Sequence, residues 1–471
     1  MLKIRSSIAA LGIVGVAACA NFDVTNPNQP TLDDLLANPT RAKLSAAATG
    51  LFSRSRSEIA SFIWRVGSMG REGINLAGNN QPDYQEPYFG PLSPSGFGGA
   101  LWQSRYGLIR DANTYIDASS RSGDLSSGEK AVAQAMAETL KALAFMYIIE
   151  TRAKLGAPVD VGHGIEAAPA PFVKEDSVYA YALALLNDAS AKLQANASAT
   201  FPFPLPPGYS GFNTPATFRP FVNALIAKAN VLRATAGCGV TCYTAALAAL
   251  NASFIDASDP SQLQKGVYFD FSNSPSDQVN DLSEPLDGVR YFADSLILYQ
   301  KAQRNGATPD LRLTSKTAAA TASSPQSIGG VDITGTLKFT RYFTNGQSDA
   351  AHPIPIIKNE ELILLRAEAR YQTGNTGGAL SDLNFVRVNS GGLTPLAGFA
   401  NTAAFVNALL YEREFSLLWE QGTTWIDARR FNLLNTIPLG VTAGNVPAIM
   451  PIPAAECAAR SQPGSCSPLG S

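Results

Sequence analysis

The chain has 471 residues, 39 of them glycine and 30 proline, with 16% charged and 9% aromatic side chains and a formal net charge of −2. Nothing in that balance implies a nucleic-acid partner or a patch for anionic membranes, and no nucleic-acid partner is expected. The length suffices for a large core and would by itself suggest about three domains.

The N-terminus reads as an address. Lys3 and Arg5 precede an apolar run from Ile8 to Val16, too short to span a bilayer, and Ala17-Ala18-Cys19 follows. This pattern predicts a signal peptide over residues 1–18. Val16-Ala17-Ala18-Cys19 is similar to a bacterial lipobox, which would make Cys19 the lipid-carrying first residue of the mature chain. An ordinary secretory signal with a chance cysteine is the competing reading. Ala20 follows, not the Asp that often retains lipoproteins at the inner membrane, and residues 19–31, with Pro27 and Pro30, read as a tether. In an oxidising envelope the four other cysteines are expected to form two local disulfides, Cys238–Cys242 and Cys457–Cys466, with free thiols left open for the second pair. No metal is expected: Cys238 and Cys242 lack two further zinc ligands, and His163 and His352 have no paired spacing.

Thr31 is a cap candidate for a helix over Leu32 to Ser57, with Asp33 and Asp34 in its first turn. Gly67 to Gly99, rich in Gly, Asn, Pro, Tyr and Phe, reads as a long loop excursion. From Ala100 onward, Trp102, Tyr106, Ile109, Asn113 and Ile116 recur at helical steps, completing a pair near 32–118. Ser119 to Gly128 reads as polar linker. Glu129 to Arg152 and Val173 to Ala195, around a loop at 156–171, predict a second pair over 129–195. The prolines between Pro202 and Pro215 forbid helix there. Thr217 to Thr235 and Tyr243 to Phe254 make a third pair within 217–256. The period then changes. Val267 to Phe269 and Thr336 to Phe343 suit short strands, and Thr317 to Gly330 reads as a small-residue loop, so 266–355 reads as an insertion.

A fourth pair spans 359–390. Leu362, Leu365 and Ala369 share one helical face, Glu360 and Glu361 favour its first turn, and Gly374-Asn375 separates it from a helix over Ala379 to Val388. Ala379 and Leu383, with Ala367 upstream, fit a tetratricopeptide-type unit. Final helices are expected over 402–431, from a stripe of Ala408, Tyr411, Phe415 and Leu418, a stop at Gly422, and a short helix from Trp425 to Phe431. Stacked pairs share one core. Residues 32–471 are therefore expected to form a single mainly α domain: about four tetratricopeptide-like helical pairs in one right-handed solenoid-like scaffold, with long loop insertions and a few short β-strands.

Asn359-Glu360-Glu361-Leu362, Arg366-Ala367-Glu368-Ala369, Ala379-Leu380, Leu383-Asn384 and Val386-Arg387 come in a definite order. They are followed by Glu412-Arg413-Glu414-Phe415, Glu420, Gly422, Trp425, Asp427 and Arg429-Arg430-Phe431. The ordered set resembles the C-terminal signature of the SusD/RagB family. The Trp102 helix, the segment Lys141 to Tyr147, and Pro451-Ile452-Pro453 near Glu456, the last as a terminal strand, resemble further family features. The resemblance covers nearly the whole chain, weakest between 156 and 330. It implies a non-catalytic lipoprotein of the outer-membrane surface, held to the membrane by its N-terminal lipid. Such a protein captures a glycan or peptide nutrient and delivers it to a SusC-like, TonB-dependent barrel. A tetratricopeptide-type envelope lipoprotein that mediates protein–protein contacts is the alternative.

Glu412, Glu414 and Asp427 lie near Arg413, Arg429 and Arg430, as a glycosidase pair would require. Two residues apart on one helix, however, Glu412 and Glu414 project about 200° apart and cannot clamp one bond. They are expected to form structural ion pairs between the last two helices. With two histidines in loops, no nucleophile–base set is expected, and Gly98-Gly99 and Gly377-Gly378 lack a phosphate-loop frame. No catalytic residue or cofactor is expected. Binding is better supported, since sugars stack on aromatic rings while amides, carboxylates and guanidinium groups read their hydroxyls. Trp102, Trp419 and Trp425 read as packing. The candidate ligand contacts are Arg71, Asn75, Asn79, Asn80, Gln81, Asp83, Tyr84, Tyr88 and Phe89 in the excursion, and Tyr291, Arg341 and Tyr342 in the insertion. For each, a loop position without a ligand role is the competing reading.

Overall fold

Several helix starts in this chain are set by side-chain caps. Ser126 and Glu129 form a reciprocal capping box ahead of the helix Ser127–Arg152. Thr214 and Thr217 do the same before Pro215, whose fixed φ suits the first helical position. The computed structural model describes residues 32–78, 82–164, 166–328, 331–439, 446–462, 464, 466, 467 and 469. The signal peptide, Cys19, the tether, Thr31, Asn79, Asn80 and Gln81 lie outside these residues.

Four helical pairs follow in order. They are Arg41–Arg56 with Gln103–Arg121, Ser127–Arg152 with Glu175–Ala195, Pro215–Arg233 with Val240–Asn251, and Asn359–Gln372 with Thr376–Asn389. Each pair packs on the next. The architecture is mainly helical, with short two-stranded sheets as its only β-structure among the described residues. Every residue from Ala135 to Arg152 is buried, so apolar residues are spread around the whole helix, with Glu138, Lys141, Glu150 and Arg152 buried among them. It is long and apolar enough for a membrane, yet it sits between the Gln103–Arg121 and Glu175–Ala195 helices. The helix Thr402–Ser416 leans on the fourth pair, and Thr423–Arg430 packs on Ile59–Met69 near the N-terminal end of the scaffold. Gly422 makes that return possible: its φ is 64°, and a Cβ there would lie 2.9 Å from Val66.

Several local expectations are corrected. The first helix is two, Leu32–Ala37 and Arg41–Arg56, because Pro39 disfavours helix at Asn38. Thr40 caps the second, its side chain accepting from the Lys43 amide at 3.4 Å. The region read as an excursion holds the helix Pro82–Phe89 and the end of Ile59–Met69, whose Ile59, Phe62, Ile63 and Val66 share one buried face opposite Ser61 and Arg65. The small-residue stretch after Thr317 forms strands: Thr317–Ala319 pairs with Leu337–Phe339, and Pro325–Ile328 with Val331–Thr334. Backbone pairing decides there, since the small side chains carry little pattern. Gly266–Phe269 pairs with Ile354–Lys358 across a bulge. Pro451-Ile452-Pro453 is not a strand; its prolines cannot donate to a ladder, and the segment leads into the helix Ala454–Ala459.

Candidate ligand-binding site

The excursion and the insertion meet. Gly73–Asn75 runs antiparallel to Tyr291–Ala293, with Asn75 opposite Tyr291. Glycine is required at position 73, because a Cβ would approach the Phe292 carbonyl and the Phe339 ring to 2.7 Å. Of the loop residues singled out above, Arg71, Asn75, Asp83, Tyr84, Tyr88 and Tyr291 are buried at this junction. Arg71 is fully buried, donates to the Ser68 and Pro87 carbonyls at 3.0 Å, and lies 4.1 Å from the Tyr88 ring centroid. Burial lowers its guanidinium below the usual range and pushes the Tyr88 phenol far up. The Tyr88 hydroxyl donates to the Gly73 carbonyl, Asn75 donates to Asp83 at 3.1 Å, and the Tyr84 hydroxyl donates to Gln326 at 3.2 Å. Phe89 is half-buried beside them. Tyr291 donates to Asp281 at 3.1 Å and packs on Trp64.

Arg341 and Tyr342 lie elsewhere. Arg341 pairs with Glu420, and the buried Tyr342 hydroxyl donates to the Trp419 carbonyl at 2.7 Å. These side chains build the fold, because long-range strand pairing covers loops that in sequence look open.

The signature carboxylates are all paired. Arg413 and Arg430 hold Asp427 at 2.6 and 2.9 Å, tying the last two helices as expected. Glu412 and Glu414 do otherwise: Glu412 meets Arg312 at 2.6 Å and Arg387 at 2.9 Å, and Glu414 meets Lys301 at 2.9 Å. They fasten the insertion to the scaffold. Glu420 takes Lys358 at 2.7 Å and Lys316 at 3.0 Å besides Arg341; burial alone would raise its pKa, but the three cations outweigh it and hold the carboxyl far down. Trp419 and Trp425 are fully buried, and Trp102 nearly so. Among the described residues no group of three or more His, Cys, Asp or Glu side chains is placed to hold a metal.

A cleft of about 790 Å³ opens where three distant segments converge. The turn before the Gln103–Arg121 helix contributes Pro94 and Gly99, and the helix start brings Trp102, Gln103 and Tyr106. Gly99 has no alternative there, since a Cβ would lie 1.9 Å from the Pro94 carbonyl. The loop after the Ser127–Arg152 helix adds Pro158 and Pro169, and the helix Ala454–Ala459 with its C-cap adds Glu456 and Arg460. Trp102 is fixed from behind, stacked on Phe172 with centroids 6.0 Å apart. The guanidinium of Arg152 lies 5.5 Å from the Trp102 ring and donates to the Ala100 carbonyl at 2.6 Å. Burial without a carboxylate partner lowers that guanidinium to about 9. Arg460 donates to Glu456 and to the Ala170 carbonyl, both at 2.7 Å, and lies 4.7 Å from the Phe172 ring. The bonded pair Cys457–Cys466 clips this wall to the tail, and Cys238–Cys242 closes the turn of the third helical pair. A concave, mostly apolar space with a few polar groups suits a small ligand. Gln103, Glu456 and Arg460 escaped the sequence reading. The i,i+4 spacing of Glu456 and Arg460 beside a disulfide was the signal available.

No protein-family model and no curated protein matches the chain. Solved structures do. NanU of B. fragilis is 16% identical, with 91% of this chain and 97% of that chain covered and a TM-score of 0.64. A SusD-like protein from Bacteroides fragilis NCTC 9343 is 14% identical, with 91% and 97% covered and a TM-score of 0.66. A candidate sugar-binding protein from Bacteroides vulgatus ATCC 8482 is 14% identical, with 90% and 98% covered and a TM-score of 0.65. The likeness is one of architecture over almost the entire length of both partners. The chain therefore has the fold of the SusD superfamily.

Proposed function

We propose that this protein is a SusD-like binding protein that holds a nutrient at the outer-membrane surface and passes it to a SusC-like, TonB-dependent barrel. The observation that carries this reading is the SusD-like fold over about nine-tenths of the chain. The 790 Å³ cleft gives that fold a place for a ligand. In this reading Cys19 carries the lipid, residues 19–31 form the tether, and residues 32–471 work as one binding unit. The ligand is an oligosaccharide or an oligopeptide, and it is released unchanged. The carboxylates with the right chemistry for hydrolysis, Glu412, Glu414 and Asp427, are neutralised by Arg and Lys partners. Arg71, Asn75, Asp83, Tyr84, Tyr88 and Tyr291 are engaged within the protein and do not line the cleft, so in this reading they support the fold, while Asn79 and Asn80, outside the described residues, are kept as candidate contacts.

The test is calorimetric titration of the full-length protein in detergent with panels of oligosaccharides and oligopeptides, followed by chromatography of the recovered ligand. Saturable binding with intact ligand is expected. Conversion of any ligand would overturn the non-catalytic assignment, and absence of binding across both panels would overturn the binding role.

A further inference from the structure

We infer that a second trough, which shares no lining residue with the 790 Å³ cleft, binds a medium-chain carboxylate. The alkyl chain lies in an apolar hollow and the head group at Lys154 and Lys174. The trough is two hollows, of about 560 and 620 Å³, that meet at Leu155 and Ile449, which line both. The first is walled by Phe89, Pro91, Leu92, Pro447 and Pro451, and no side chain on its wall carries a charge, a hydroxyl or an amide. The second continues the apolar floor with Ala236 and Leu469 and brings in the two lysines. Local structure sets these lysines together. The Ser127–Arg152 helix ends in the turn Ala153–Leu155, and Ala157 then pairs antiparallel with Val173, which puts Lys174 beside that turn.

Both lysines are exposed, and neither has a carboxylate partner among the described residues. The two acids on the same wall already answer to arginines. Arg233 holds Asp176 at 2.8 and 3.1 Å; burial raises the Glu175 carboxyl, while Arg429 and Arg430 draw it back down. The lysine charge is left for a ligand. A carboxylate takes charge-assisted hydrogen bonds from an ammonium group. An alkyl chain needs no partner on a wall without polar side chains, and each methylene it buries tightens binding. A sugar or a peptide backbone would strand hydroxyls or amides in the first hollow. One charged end on an unbranched apolar chain is the chemistry the trough matches.

The probes are hexanoate, octanoate and decanoate, with octan-1-ol and octyltrimethylammonium as neutral and cationic counterparts. They are titrated by calorimetry into the full-length chain carrying Cys19→Ser, which dispenses with detergent that would compete for them. The same chain with Lys154→Gln and Lys174→Gln together, or with Ile449→Asp, is titrated in parallel, with circular dichroism confirming the fold. The lysines are exposed and Ile449 is half-buried, so no change touches the core. Affinity is expected to rise about fourfold per methylene from hexanoate to decanoate. Octanoate should bind at least tenfold tighter than octan-1-ol or octyltrimethylammonium, and the double lysine variant should remove that margin without weakening octan-1-ol. Ile449→Asp should weaken every carboxylate at least tenfold. Octanoate binding that survives the loss of both lysines, or equal binding of the cationic probe, would overturn the head-group assignment. Affinity that is flat across the chain lengths, or indifferent to Ile449→Asp, would overturn the trough as the site. No binding of decanoate would overturn the inference while leaving the nutrient-binding role of the cleft untouched.

Discussion

Glu420 offers the sharpest separation between a scaffold and an active site. Its side chain is fully buried and faces three cations: Lys358 at 2.7 Å, Lys316 at 3.0 Å, and Arg341. Glu420→Gln keeps the shape and removes the charge. Lys358 retains Glu360 at 3.1 Å, whereas Lys316 keeps only the Phe415 and Ser416 carbonyls. Breaking a buried ion pair by removing one partner costs about 3–5 kcal/mol, most of it the penalty of the stranded charge. That range is expected for Glu420→Gln at pH 7, read from the denaturant midpoint at unchanged slope. Adding Lys316→Met should recover about 1–3 kcal/mol, because the stranded ammonium is gone. The pH dependence supplies a second check. Burial lowers the Lys316 ammonium to about 8, so between pH 8 and its unfolded value near 10.5 the unfolded chain binds more protons. Its contribution to stability therefore rises with pH across that window, and without Glu420 the rise should begin at lower pH. Ligand affinity of the folded variant should stay within about twofold. A loss below about 1 kcal/mol, or loss of binding at unchanged stability, would refute the scaffold role.

Other perturbations follow from the same contacts. Burial raises the Glu72 carboxyl to about 7, although it accepts from the Trp419 and Thr424 amides, so the folded chain holds more protons than the unfolded one between pH 4.5 and 7. Stability should fall across that interval, and Glu72→Gln should flatten the fall in a series of pH-dependent melts; an unchanged slope would contradict the buried ionisation. Cys466→Ser opens a nine-residue separation and should cost about 2–3 kcal/mol by the chain-entropy account, while weakening ligand binding because Glu456 and Arg460 lose their clip. Undiminished affinity would separate the tail from the cleft. Cys19→Ser should move the protein from the membrane fraction to the soluble one, and unchanged retention would refute lipidation.

The helical scaffold was legible because its signals are local. The stripe from Trp102 to Ile116, the alanine-rich helix from Glu129 and the Asn359–Gln372 helix each carry their signal within one element, although the Ser126 cap inside the expected linker was not read. The Ile59–Met69 helix was not assigned although Ile59, Phe62, Ile63 and Val66 recur at helical steps, because its end runs into the glycine-rich stretch from Gly67. The aromatic and amide residues of the excursion looked open because their partners lie far along the chain: Tyr84 meets Gln326, and Asn75 faces Tyr291. The cleft was hidden for the same reason. Its walls come from residues near 100, 160 and 455, and only the folded chain brings Trp102, Pro158 and Arg460 to one space.

The most direct measurement of the proposed role is purification of the affinity-tagged, full-length protein from its native membranes, with identification of whatever elutes with it. A TonB-dependent outer-membrane barrel is expected in near-equal amount, and it should be lost when the membranes are omitted. Repeated recovery of the protein alone from mildly solubilised membranes would contradict delivery to a transporter.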